Sequence, residues 1–110
     1  KCPDTRNSKV EDIVKKLEEY GINPIIVDPW AKKEDARREY GIEITDLKDV
    51  NNVDCIILAV AHNEFRELSW EQLDKLYKDE LKNNEKILID VKGIKSIKEV
   101  KKIGYKYWRL

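Results

Sequence analysis

Residues 53–62 read VDCIILAVAH, an apolar run of strand length, broken only by Asp54, that closes on His62, the chain's only histidine. A half-exposed strand would alternate polar and apolar positions. A run that is apolar at nearly every position suits a parallel strand covered on both faces. KILIDVK at 86–92 has the same character, and INPIIVDPW at 22–30 is a shorter version closed by Asp28-Pro29. Pro24 restricts that strand to a start position or one without a ladder bond. YKYWRL at 105–110 alternates and reads as a final strand, and IEIT at 42–45 as a short edge strand.

Helical patterns separate these runs. Val10, Ile13, Val14 and Leu17 repeat at helical spacing over 8–20, opened by a Ser8–Glu11 capping box and stopped at Gly21. KKEDARREYG at 32–41 is a charged helix. Ser69 with Gln72 forms a second capping box, and Trp70, Leu73, Leu76, Tyr77 and Leu81 predict a helix over 69–81. IKSIKEVKKIG at 94–104 is a short basic helix.

Strands alternating with helices predict an α/β fold, a Rossmann-like, three-layer, doubly wound and mainly parallel sheet. Its strands are expected near 24–28, 54–60, 86–91 and 105–109. The series nevertheless begins with a helix, whereas a βαβ crossover must leave a preceding parallel strand. In the strand order 3-2-1-4-5-6 that first strand is central. The expectation is that it lies upstream of residue 1, next to 24–28 and 54–60. Residues 1–110 would then be part of a longer chain; the alternative is an unusual strand order within them.

The chain's 110 residues suffice for a single core. With 41% hydrophobic and 40% charged residues and a formal net charge of zero, the composition is that of a globular domain. No apolar stretch approaches the roughly 18 residues of a membrane span, and no signal-type segment is present. Cys2 and Cys55 are far apart and form no metal or redox motif. Cys55, inside the apolar run, is expected to be a small core residue.

Ligands of such sheets collect outside the carboxyl ends of the strands. The opening loop CPDTRN at 2–7 has no glycine and cannot offer the backbone approach of a dinucleotide fingerprint. It offers Arg6 near a helix N-terminus, suited to a phosphate or carboxylate, or else pairing with Asp4 to close the loop. Asp28 ends a strand where dinucleotide folds hold a ribose, yet Asp-Pro is also good turn chemistry. His62 follows a buried strand and is a candidate acid or base, or a satisfied loop histidine. No serine or cysteine pairs with it in a hydrolase pattern.

Lys92 follows the strand ILIDV, again at the ligand edge. Residues 92–109 hold seven basic side chains against Glu99 alone. Lys95, Lys98 and Lys102 lie mostly opposite Ile94, Ile97, Val100 and Ile103, so a solvated helix face accounts for them better than a nucleic-acid surface does.

Taken in order, CPDTRNSKV, VDPWA, ILAVAHNEF, IDVKG and YWRL resemble the C-terminal domain of the UDP-glucose/GDP-mannose dehydrogenase family. The match is closest to members acting on UDP-glucose or UDP-N-acetylhexosamines. The resemblance implies an NAD-dependent cytoplasmic enzyme that oxidises C6 of a UDP-sugar twice, to a carboxylate. It further implies an N-terminal NAD domain and a central helix as partners of this UDP-binding domain, and assembly as a homo-oligomer. In relatives a Phe-Lys pair ends the strand before the opening loop, and Lys1 does not match it. Arg6 matches the arginine that reaches NAD, and Lys92 is the nearest match to a basic residue that contacts substrate. The family's catalytic cysteine matches neither Cys2 nor Cys55, so the resemblance implies no catalytic residue and no metal ligand in this chain, which alone would be inactive. The rival readings are a non-enzymatic Rossmann-like nucleotide-binding or regulatory module, or a structural oligomerisation domain.

Overall fold

The computed structural model describes residues 8–29, 32–41 and 43–109. Cys2, Arg6 and the rest of the opening loop lie outside them, as does the side chain of Ser8 with its expected cap. The chain divides into two compact units at residue 50.

In the first unit, helix α1 (Ser8–Glu19) buries Val14 and half-buries Val10, Ile13 and Leu17. It ends as its glycine predicts. Gly21 takes φ +79°, its N–H bonds the Glu18 carbonyl at 2.9 Å, and the Ile22 N–H reaches back to Leu17 at 2.9 Å. Helix α2 (Lys33–Tyr40) buries only Ala36 and is edged by exposed ion pairs, Arg37 to Glu43 and Lys33 to Asp46. Of the strands expected at 24–28 and 42–45, the described residues show one parallel bridge, Ile26 to Ile44, with the Thr45 N–H on the Ile26 carbonyl at 2.7 Å. Pro24 and Pro29, which carry no N–H, bound the first segment, and a 3₁₀ turn at Leu47–Asp49 follows the second.

The second unit holds a three-stranded parallel sheet in the order β1 (Cys55–Leu58), β2 (Ile87–Asp90), β3 (Lys106–Arg109). This agrees with the parallel α/β reading, with each strand shorter than expected. Helices α3 (Asn63–Arg66) and α4 (Trp70–Asp74) lie between β1 and β2, and α5 (Ile97–Ile103) between β2 and β3. One sheet face carries Leu58 and Leu88, which pack with Tyr77, Val100 and Tyr105 into the core. Ile57, Ile87 and Ile89 on the other face are half-buried.

Three expectations are corrected here. The helix over 69–81 stops at Asp74. Its Ser69–Gln72 capping box forms in both directions, at 3.0 and 2.8 Å, but Val53 then captures the backbone. The Val53 N–H bonds the Leu76 carbonyl and its carbonyl accepts from Lys78 N–H, both at 3.0 Å. Tyr77 is drawn into the core as a result, with its hydroxyl on the Ile87 carbonyl at 2.6 Å. Cys55 is exposed, because it opens β1 on the face away from Leu58. Lys95 is buried rather than solvated, because Ser96 caps α5 and the lysine precedes the helix altogether.

Just before β2 and β3, Lys86 and Tyr105 form a buried polar cluster. Lys86 Nζ donates to Asp74 at 2.6 Å and to Asn83 at 3.0 Å, and the Tyr105 hydroxyl donates to the same Asp74 oxygen at 2.6 Å. The ammonium also lies 5.8 and 5.9 Å from the ring centres of Tyr77 and Tyr105. The hydrogen bond from Lys86, then that from Tyr105, holds the Asp74 carboxyl below the usual range.

Candidate functional site at the carboxyl edge of the sheet

Leu58, Asp90 and Arg109 stand level in the register and mark the carboxyl ends of the three strands. This is the edge where α/β sheets take their ligands. Asp90 is fully buried, and a buried carboxylate needs several donors. It has three: the Ile94 N–H at 3.0 Å, the Lys95 N–H at 2.9 Å and the Tyr107 hydroxyl at 2.7 Å. The Asp90 carbonyl also accepts from Gly93 at 3.3 Å, closing a β-turn over residues 90–93. Gly93 sits at φ +66°, the left-handed region that glycine enters without strain.

Arg109 braces this turn from the neighbouring strand. Its Nε donates to the Tyr107 hydroxyl at 2.8 Å and its second guanidinium arm to the Lys95 carbonyl at 2.6 Å. A Cβ built at Gly93 would stand 3.3 Å from the guanidinium carbon. Tyr107 therefore relays between arginine and aspartate, accepting from one and donating to the other. Burial, with the bond to Asp90, raises the Tyr107 phenol above its ordinary value against the opposing pull of Arg109.

Lys95 links this turn to the segment after β1. Its Nζ donates to the Leu68 carbonyl at 2.5 Å and the Arg66 carbonyl at 3.4 Å, and it lies 5.5 Å from the Trp70 ring centre. Burial lowers its pKa, and Asp90 and Glu99 partly offset that. The Trp70 indole N–H donates to Glu99 at 2.7 Å, and Arg66 Nε reaches the Ala61 carbonyl at 3.3 Å. Among the described residues no buried side-chain nitrogen or oxygen lacks a partner, so the edge is a closed network.

Lys92 is the third residue of the 90–93 turn; it is exposed and makes no hydrogen bond or ion pair among the described residues. His62 stands at the same sheet edge, directly before α3, with its ring stacked 5.8 Å from Phe65. Asp28 belongs to the first unit and Arg6 lies outside the described residues. Sequence reasoning placed Lys92 just after the strand ILIDV, where the structure has it, but singled out none of Asp90, Tyr107 and Arg109 and read Lys95 as solvated. A signal existed: Asp90 is a carboxylate inside an apolar strand, and two residues apart on YKYWR stand a phenol and a guanidinium that can serve it. Among the described residues no group of His, Cys, Asp and Glu could hold a metal ion, and no helix is long and apolar enough to cross a membrane.

Comparison with known proteins identifies relatives of the chain. Residues 1–96 match the UDP binding domain of the UDP-glucose/GDP-mannose dehydrogenase family. The chain is 49% identical over 79 residues to a UDP-N-acetyl-D-glucosamine 6-dehydrogenase of Pseudomonas aeruginosa, covering 72% of this chain and 19% of that protein. It is 35% identical over 109 residues to Protein CapL of Staphylococcus aureus, 99% of this chain and 24% of that one. It is also 35% identical over 104 residues to a UDP-N-acetyl-D-mannosamine dehydrogenase of Methanococcus vannielii, 94% of this chain and 22% of that one. The chain thus spans about a fifth to a quarter of the length of these relatives. It belongs to the UDP-glucose/GDP-mannose dehydrogenase family, as its UDP binding domain.

Proposed function

We propose that this chain is the UDP-binding part of a longer, cytoplasmic, NAD-dependent UDP-sugar 6-dehydrogenase, and that its sugar is a UDP-N-acetylhexosamine. The match of residues 1–96 to a UDP binding domain carries the reading, and the names of the Pseudomonas and Methanococcus relatives favour the N-acetylated sugar over UDP-glucose. In this reading the Rossmann-like sheet is completed by a strand upstream of residue 1. The NAD-binding and central domains of the same polypeptide complete the enzyme, which works as a homo-oligomer.

Within this chain the work is recognition. Lys92, an exposed cation at the ligand edge of a parallel sheet, supplies positive charge to the diphosphate. Arg6 extends toward NAD from the opening loop. The oxidation of the C6 alcohol to a carboxylate, with two NAD reduced in succession, falls on residues outside the chain, and neither Cys2 nor Cys55 serves as nucleophile.

The test is a pair of measurements on the complete polypeptide. Calorimetric titration should show binding of UDP and much weaker binding of GDP. NADH formation should be fastest with a UDP-N-acetylhexosamine. Binding of UDP without NADH formation from any UDP-sugar would instead favour a non-enzymatic nucleotide-binding module. Absence of UDP binding would defeat the reading.

A further inference from the structure

We propose that Arg109 and Tyr107 are positioning residues, which lock the 90–93 turn so that Lys92 is held ready for the UDP diphosphate. This rests on the reading of Lys92 given above and adds to it the residues through which its placement is set. The observation is an asymmetry within one short loop. Around Lys92 several bonds hold the backbone. The Asp90 carboxylate holds the N–H groups of Ile94 and Lys95, the Asp90 carbonyl holds the Gly93 N–H, and Arg109 holds the Lys95 carbonyl. The Tyr107 hydroxyl ties the aspartate and the arginine into one unit. The side chain at the turn's third position is left without a partner among the described residues.

The β2–β3 ladder ends at Asp90 and Arg109, and these bonds, besides satisfying the buried carboxylate, carry backbone order past its end into the 90–93 turn. Such bracing serves a site that must not lose its backbone order on binding, since an ordered loop spares the ligand the entropy of ordering it. The bracing role of Arg109 rests on two bonds, from Nε to the Tyr107 hydroxyl and from one terminal nitrogen to the Lys95 carbonyl, with the guanidinium lying beside Gly93.

The experiment is a double-mutant cycle on the complete polypeptide, read as Kd for UDP and for NAD and as KM against kcat for the UDP-sugar, with melting curves alongside. Arg109→Ala should weaken UDP roughly five- to thirty-fold, the scale of re-ordering about one backbone residue on binding. NAD affinity and kcat should stay within about twofold, and Tyr107→Phe, which removes only the relay hydroxyl, should give a smaller loss of the same kind. In a Lys92→Ala background the Arg109→Ala change should cost almost nothing further, since there is no longer a cation to place. Equal losses in both backgrounds, or no loss, would overturn the positioning role while leaving UDP recognition intact. Full recovery of UDP affinity by Arg109→Lys would also overturn it, because a direct charge contact survives that change and a two-armed brace does not. If Lys92→Ala leaves UDP affinity unchanged, the Lys92 reading fails and the positioning role with it. Should Arg109→Ala fail to fold, Tyr107→Phe in the two Lys92 backgrounds closes the same cycle.

Discussion

Tyr107 donates a 2.7 Å hydrogen bond to the buried carboxylate of Asp90 from the adjacent parallel strand. The two residues are unequal partners. Tyr107→Phe deletes one bond to a charged acceptor, a loss of about 1.5–3 kcal/mol of unfolding free energy. Asp90→Ala also strands the Ile94 and Lys95 N–H groups, each a buried donor costing roughly 1–3 kcal/mol when unsatisfied. Urea denaturation should therefore rank Asp90→Ala well below Tyr107→Phe. Equal midpoints would show that water replaces the carboxylate.

Gly93 and Gly41 share φ +66° but not their surroundings. Among the described residues nothing lies within 4 Å of a Cβ at Gly41, whereas one at Gly93 meets the Arg109 guanidinium at 3.3 Å. Gly41→Ala should pay the left-handed conformational cost alone, about 1–2 kcal/mol. Gly93→Ala should cost more, because Arg109 is held by Tyr107 and Lys95 and cannot withdraw freely. In an Arg109→Ala background the excess should vanish. Persistence of the excess there would mean that the crowding lies elsewhere.

The parallel sheet was legible because CIILAV and ILI are apolar at successive positions rather than alternating, a pattern that suits strands covered on both faces. The stripe Leu73, Leu76, Tyr77 and Leu81 misled for a definite reason. Its spacing fits a helix, but the two backbone bonds to Val53 outweigh helical propensity after Asp74. Lys95 was misread by extending the α5 period one turn too early. Ser96-Ile-Lys-Glu99 is itself a capping sequence, and reading it would have placed Lys95 ahead of the helix. The Asp90–Tyr107–Arg109 network was hidden because Asp90 lies 17 residues from Tyr107 in the chain, and only the pairing of β2 with β3 brings the aspartate beside the tyrosine and arginine.

Acid should expose the Asp74–Lys86 pair. Asp74 titrates near 3.8 when unfolded and lower when folded, because Lys86 and Tyr105 donate to it. A carboxyl depressed in the folded state adds stability that is complete above its unfolded value and is lost as pH falls through the folded one. The melting-temperature gap between wild type and Asp74→Asn should therefore be constant from about pH 7 to about pH 5 and narrow below about pH 4. A gap independent of pH would show that the pair contributes through shape rather than charge.

Arg6 and Lys92 should separate the two ligands of the complete enzyme. Arg6 is proposed from loop chemistry and family resemblance to reach NAD, and Lys92 from its place at the sheet edge to reach UDP. A charge-assisted contact is worth roughly 1.5–3 kcal/mol, so Arg6→Ala should weaken NAD about ten- to a hundred-fold and barely change UDP. Lys92→Ala should do the reverse. Arg6→Lys should recover only part of the NAD affinity, since a point charge lacks the guanidinium fork. If Arg6 instead clamps the loop by pairing with Asp4, Arg6→Ala lowers the melting temperature and weakens both ligands alike. Separate titrations of NAD and UDP into the variants, with melting curves, discriminate these outcomes. Unchanged NAD affinity in a well-folded Arg6→Ala enzyme would leave Arg6 without a cofactor role.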